Sequence, residues 1–442
     1  MDSLRIDVAD MQSVRWQALA WAISQQNDSV DFVASLTNND SIYPNDPFPN
    51  RLFVGAERVI SFSEHDAFEA LADAHARRPS YLVGYLGYDL KNQLEVLESR
   101  NPNRLGFPDV YFVEPAWVID FEASDRQTGC VCIRGYGNAQ ELWQQIVHFQ
   151  PAPITAPSLV ALPPAIQCRV SYDDYLANVR RIQQHILAGD VYELNYCIEF
   201  FAEAIHLDPL TVYRALNQRS PMPFSNFMKI GERYVMGASP ERFLKKEGQN
   251  VLSQPIKGTI RRGKTPDEDS LLRTQLLQSE KERAENLMIV DLVRNDLARS
   301  AKTGSVRVDE LFGIYGFQQV YQMISTVSAT LREGVNWAEA IRHAFPMGSM
   351  TGAPKIRAME LIDELEVSRR GVYSGAIGFI TPEGDFDFSV VIRTLLYNAQ
   401  NRYASFSVGS AITYDADPVQ EWEECLLKAK AIREVIDGFT TV

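Results

Sequence analysis

Three β-rich runs near the end of the chain decide its fold: GAIGFIT (375–381), FDFSVVIRTLLY (386–397) and RYASFSVGSAIT (402–413). Two short turns separate them, PEG at 382–384 and NAQN at 398–401. Strands joined by connections this short must run antiparallel, because a parallel crossover needs a dozen or more residues. An amphipathic helix is expected over 418–437. Working back along the chain, Asn336 is placed to cap a helix through Phe345, and Pro354 to open one through Leu365. Residues 267–298 read as mostly helical, 225–247 and 194–204 as strands. Leu176, Val179, Ile182, Ile186 and Leu187 form the apolar stripe of a helix that Ser171 and Asp174 begin and Gly189 ends. The fold class is α+β, with helices outside antiparallel sheets.

A run with prolines at 151, 153, 157, 163 and 164 marks an extended connector over 151–164. It separates an N-terminal region, 1–150, from residues 165–437, which carry nearly all the motifs. The 442 residues hold 45% hydrophobic and 23% charged side chains, the balance of a globular protein. A formal net charge of −14 argues against nucleic acid or an anionic membrane as the main partner. No apolar stretch of about 18 residues and no signal-peptide core is present, and the five cysteines are scattered. A reduced cytoplasm is the expected location.

The chemistry is expected from five clusters. Lys257 stands between Pro255 and Gly258, presented from a stiff turn. Glu282 with Glu285, and Glu421 with Glu424, form i, i+3 pairs on helices. Leu287 to Val293 is almost continuously apolar, so the first of these helices is expected to be buried on most sides, where carboxylates need a partner. Oxygen ligands of this kind suit Mg²⁺. Arg294, Asn295 and Asp296 read as a structural ion-pair and capping cluster. The loop from Phe345 to Lys355 offers glycines, Ser349, Thr351, Lys355 and helix-start amides to an anion. Arg393 projects from a strand of apolar neighbours, where its fork suits a carboxylate. Gly409, Ser410 and Ala411 offer backbone amides. Cationic groups and acidic pairs in an acidic protein point to a small polycarboxylate substrate.

Ser239 to Phe243, Pro255 to Thr259, Glu285 through Asp296, Gly348 to Lys355, Ile392 to Thr394 and Asp417 through Ala429 together resemble the chorismate-utilising enzymes, over roughly 165–435. Weaker echoes occur at Gly84 to Asp89. The resemblance implies an anthranilate synthase component I-like fold, a sandwich of antiparallel sheets with helices outside. It makes Glu285 and Glu424 Mg²⁺ ligands, with Glu282 and Glu421 holding the metal's waters. Arg393 and Tyr373 would grip the enolpyruvyl carboxylate, with Ser349 beside the ring. Lys257 resembles the lysine of the aminodeoxychorismate enzymes, which attacks ring C2 as the C4 hydroxyl leaves, whereas anthranilate synthases carry alanine there. Glu241 would be the acid for the departing hydroxyl. The lysine would need its pKa lowered and Glu241 its pKa raised, both in a dry pocket. Ammonia would come from a separate glutaminase subunit. Three residues depart from the usual pattern: Glu193 for a glutamine, Gln322 for a histidine, and Ala411 for a glycine. Anthranilate synthase component I and a non-catalytic chorismate-binding relative are the competing readings.

Overall fold

The computed structural model describes residues 2–25, 31–62, 66–123, 128–151 and 166–438. The connector expected at 151–164 lies outside the described residues from 152 onward. Among the described residues the strands form two sheets, one of 12 strands and one of 10, and every pairing between named strands is antiparallel. Helices pack against them, among them Tyr172–Leu187, Glu280–Ala298, Lys355–Leu365 and Pro418–Gly438. Their caps follow the sequence: Ser171 Oγ accepts from the amide of Asp174 at 3.1 Å, and Asn336 caps Trp337–Ala344 through Glu339.

Both sheets draw on both ends of the chain. In the larger, Phe32–Thr37 pairs with Phe224–Ile230. In the smaller, Leu82–Leu86 pairs with Ala376–Ile380. The division near 151 is therefore one of chain order, while one apolar core runs through both parts.

Two strand readings are corrected. The run 386–397 is not one strand: Phe386–Val390 belongs to the smaller sheet and Thr394–Asn398 to the larger. The chain crosses between sheets at Val391 to Arg393, where Arg393 takes φ 51°. The run 225–247 is three strands, Phe224–Ile230, Arg233–Ser239 and Arg242–Glu247, and the last two also lie in different sheets. The two crossings run side by side. The amide of Ala238 donates to the Arg393 carbonyl at 3.0 Å, and that of Val390 to the Glu241 carbonyl at 3.0 Å. Ser239 Oγ bonds the Val390 carbonyl at 2.6 Å. Strands that change sheets make the corners of a β-sandwich, and here one corner carries Glu241 and Arg393. Arg242, fully buried, anchors it through Asp387 at 2.9 Å and Gln254 at 2.5 Å.

Candidate active site

Lys257 projects from a bulge and not from a turn. Ile256 pairs with Ile324 but Thr259 with Gln322, so one extra residue is accommodated in the strand Ile256–Arg261. A bulge re-aims a side chain out of the regular alternation. Gly258, at φ 94°, completes it, and a Cβ there would sit 3.1 Å from Glu282 Oε2. The lysine strand thus lies directly against the helix Glu280–Ala298. Asn286, missed by sequence reasoning, ties the two: its Oδ1 accepts from Ser325 Oγ at 2.6 Å, and its amide nitrogen reaches the Lys257 carbonyl at 3.4 Å.

Four carboxylates surround the lysine. Burial favours its neutral amine, but Glu193, Glu285, Glu424 and Glu241 outweigh burial and raise its pKa. The expectation that the site lowers this pKa is reversed here: the protein's own charges hold Lys257 as an ammonium. Its acid partner behaves as expected. Burial pushes Glu241 up to about 7, against the pull of Ser349, Lys257 and the amide of Ile256. Ser349 is close enough to favour the Glu241 carboxylate, yet its buried hydroxyl completes no ordinary hydrogen bond.

The four candidate metal ligands stand on two helices, Glu282 and Glu285 on Glu280–Ala298 and Glu421 and Glu424 on Pro418–Gly438. Burial pushes Glu285 up to about 7, with Glu282 adding to the rise, and burial also raises Glu282. Burial presses Glu424 upward too, but Lys428, 2.5 Å away, holds its pKa below the ordinary value. Lys281 spans the pairs, 3.9 Å from Glu285 and 3.6 Å from Glu421. An all-oxygen donor set in which burial opposes the charge of Glu282 and Glu285 is one that a hard dication would relieve. Among the described residues no three of these oxygens gather within 4.8 Å of one another, so they form a shared acidic neighbourhood held apart by Lys281 and Lys428. The helix itself buries only one face, through Asn286, Ile289, Val290, Val293, Asp296 and Leu297. Leu287 is 45% exposed, which corrects the expectation of burial on most sides.

Arg393 lies within electrostatic reach of both Tyr373 and Glu424. Burial lowers the Arg393 pKa, against Tyr373 and Glu424. Its guanidinium has neither hydrogen bond nor ion pair with any described residue. Arg393 is half-buried, and a planar fork of five donors of this kind suits a carboxylate. Tyr373 is 3% exposed, its hydroxyl 3.6 Å from Cys197 Sγ. Arg370 stiffens the segment before it by bonding Glu366 at 2.6 Å, the Met350 carbonyl at 2.6 Å and the Asn195 carbonyl at 2.9 Å.

Other expected binding residues have structural duties. Thr351 is fully buried, and its hydroxyl bonds the carbonyls of Met347 and Gly348 at 3.3 and 3.2 Å. Lys355 Nζ reaches Asp296 at 2.7 Å and the Pro346 carbonyl at 2.8 Å, locking the loop onto the helix Glu280–Ala298. Neither side chain is left for an anion. Asp296 thereby fulfils the structural role expected of it. Ser410 Oγ donates to Glu421, and the Gly409 carbonyl takes Lys428 Nζ at 2.8 Å. Ala411 and Gly409 pair with Asn195 and Cys197 on the neighbouring strand. Gln322 is 3% exposed, with an unpartnered Oε1, on the strand face it shares with Ile324.

Lys355→Ala is expected to leave Asp296 as an unpaired buried carboxylate and to cost about 3–5 kcal/mol. Urea unfolding followed by tryptophan fluorescence checks it. Lys355→Met should cost as much, since it replaces the volume but not the charge.

A separate cavity of about 260 Å³, bounded by Trp16, Ser35, Asn39, Arg51 and Tyr213 among others, shares no residue with this site. No helix among the described residues is long and apolar enough to cross a membrane, and all five cysteines are free.

Residues 35–434 match the family model of chorismate binding enzymes. Aminodeoxychorismate synthase of Streptomyces griseus is 40% identical over 368 residues, 80% of this chain; the chain spans only 50% of that longer protein. Anthranilate synthase component 1 of Thermus thermophilus is 35% identical over 359 residues, 80% of this chain and 77% of the relative. The crystal structure of anthranilate synthase component I from Streptococcus pneumoniae superimposes with a TM-score of 0.74 at 26% identity, over 93% of this chain and 95% of that one.

Proposed function

The chain belongs to the chorismate binding enzyme family, and from that premise we propose that it is the synthase subunit making 4-amino-4-deoxychorismate from chorismate and ammonia, the precursor of 4-aminobenzoate. The observation that carries this reading is Lys257, which stands on a bulge within electrostatic reach of Glu241 and has no hydrogen-bond or ion-pair partner among the described residues. A side chain held without a partner beside a carboxyl near neutrality is arranged for reaction rather than for support.

Lys257, once it has given up a proton to water ahead of the reaction, forms a bond from its neutral Nζ to ring C2. The ring electrons shift and the C4 hydroxyl departs as water, taking its proton from Glu241, whose raised pKa lets it donate near neutral pH. Ammonia then bonds to C4 and the bond to Lys257 breaks. Arg393 and Tyr373 orient the enolpyruvyl carboxylate, and the amides of Gly409 to Ala411 assist. Glu282, Glu285, Glu421 and Glu424 would hold Mg²⁺. When bound, that ion supplies positive charge to the ring carboxylate. A glutaminase subunit is the proposed source of ammonia, in keeping with the component 1 naming of the Thermus relative.

Incubation with chorismate, Mg²⁺ and an ammonium salt at alkaline pH, followed by mass spectrometry, tests the reading. An amino product that retains the enolpyruvyl group is expected. Anthranilate with free pyruvate would transfer the chain to the anthranilate branch. Glu285→Gln should raise the Mg²⁺ concentration for half-maximal activity at least about tenfold, since a neutral amide is a weaker ligand for a hard dication. An unchanged Mg²⁺ titration would remove Glu285 from the ligand set.

A further inference from the structure

Glu193 opens the strand Glu193–Ala202 and is only 2% exposed. Its backbone is fixed on one side by pairing with Ala353 in the site loop, and Leu194 beside it pairs with Ile412 on the other. Even so, its Oε2 has no hydrogen-bond partner. Buried carboxylate oxygens are ordinarily satisfied, and an exception calls for an explanation. Glu193 is not remote from the chemistry. Its charge is the foremost of the four acting on Lys257, and it also acts on Glu285.

A further carboxylate is the wrong group to receive chorismate, which carries two of its own. It must face a cation or a hydrogen-bond donor. Lys257, on which its charge acts, is one candidate, but no hydrogen bond or ion pair joins the two. The remaining species that must enter this pocket is the amine. Resting on the proposed function above, we propose that Glu193 is the receptor for the amine co-substrate, accepting a hydrogen bond from ammonia and then its proton.

The step balances without any other reagent. The lone pair of ammonia forms the C4–N bond. The ring electrons move around to C2, and the bond from C2 to the protonated nitrogen of Lys257 breaks, releasing the lysine as a neutral amine. The new ammonium group on C4 passes one proton to the Glu193 carboxylate, leaving the neutral 4-amino product and protonated Glu193. Without an acceptor, the positive charge would stay on C4 beside a departing amine, and the reverse reaction would compete. Glu193 and Glu241 then divide the proton work: Glu241 gives a proton to the leaving oxygen, and Glu193 takes one from the arriving nitrogen.

Two measurements on Glu193→Gln separate this role from others. The variant keeps shape and burial, and circular dichroism and melting temperature are compared with the parent first. In steady state with saturating chorismate and Mg²⁺ at fixed pH, the KM for ammonium chloride should rise at least tenfold. In the absence of ammonium, the mass adduct on Lys257 should form within about twofold of the parent rate. Glu193→Asp, which keeps a carboxylate, should recover part of the ammonium affinity. An unchanged ammonium titration would overturn the proposal. Equal slowing of adduct formation and amination would also overturn it, since Glu193 would then act on the lysine. Should the parent enzyme form neither adduct nor amino product, the covalent reading itself falls, and this inference with it.

Discussion

Lys257→Ala is expected to lower the 4-amination of chorismate by at least about a thousandfold, the scale on which nucleophile removal acts. The effect should fall on turnover, with chorismate binding retained, because Arg393 and the acidic pairs are untouched. Lys257 makes no hydrogen bond or ion pair with a described residue through its ammonium, but Glu193, Glu285, Glu424 and Glu241 together favour that charge. Its truncation takes their cation away, so the melting temperature is expected to fall modestly, and it is measured beside turnover so that the two losses are told apart. Product formation is followed by coupling to a lyase that releases 4-aminobenzoate, and the adduct is sought by intact mass. Turnover at the parent rate would eliminate the covalent mechanism.

Arg393→Ala should raise the chorismate KM by about a hundredfold or more, the loss of a desolvated charge-assisted pair worth about 3 kcal/mol. Arg393→Lys is the informative companion. It preserves the charge but not the planar fork, and a recovery of less than half of the lost binding energy would identify bidentate recognition. Both variants keep a non-glycine residue at φ 51°, so the backbone cost that Arg393 already bears cancels between them. A chorismate titration that does not move in either variant would place the carboxylate elsewhere.

Much of this site is legible in the sequence, and the exceptions have physical causes. Short turns reveal hairpins because loop length limits strand direction, and the helices appear through their caps and apolar stripes. The breaks at Ser239 to Arg242 and at Val391 to Arg393 do not appear. A strand passing from one buried sheet to another stays apolar on both sides, so composition carries no mark of the change. The bulge at Lys257 is hidden for a related reason, since it is defined by the partner strand and not by its own residues. Thr351 and Lys355 were misread because a polar side chain in a glycine-rich loop looks the same whether it serves a ligand or the loop. Their distances to Gly348 and Asp296 decide between the two. Lys281 and Lys428 carried a signal that was overlooked, each standing four residues from a glutamate on its own helix. Glu193 is visible in the sequence only as a departure, and its meaning emerges from a buried Oε2 that no donor reaches.

The sharing of both sheets between the two ends of the chain governs how this protein can be made. During synthesis, Leu82–Leu86 leaves the ribosome long before Ala376–Ile380, its neighbour in the finished sheet, has been translated. Phe32–Thr37 likewise waits for Phe224–Ile230. For most of its birth the nascent polypeptide therefore carries unpaired strand edges, the surfaces on which chains aggregate. Neither sheet can be completed until the strands Phe386–Val390 and Tyr403–Ile412 have been translated, so a ribosome that stalls before them leaves no small active fragment, only a client for chaperones or proteases.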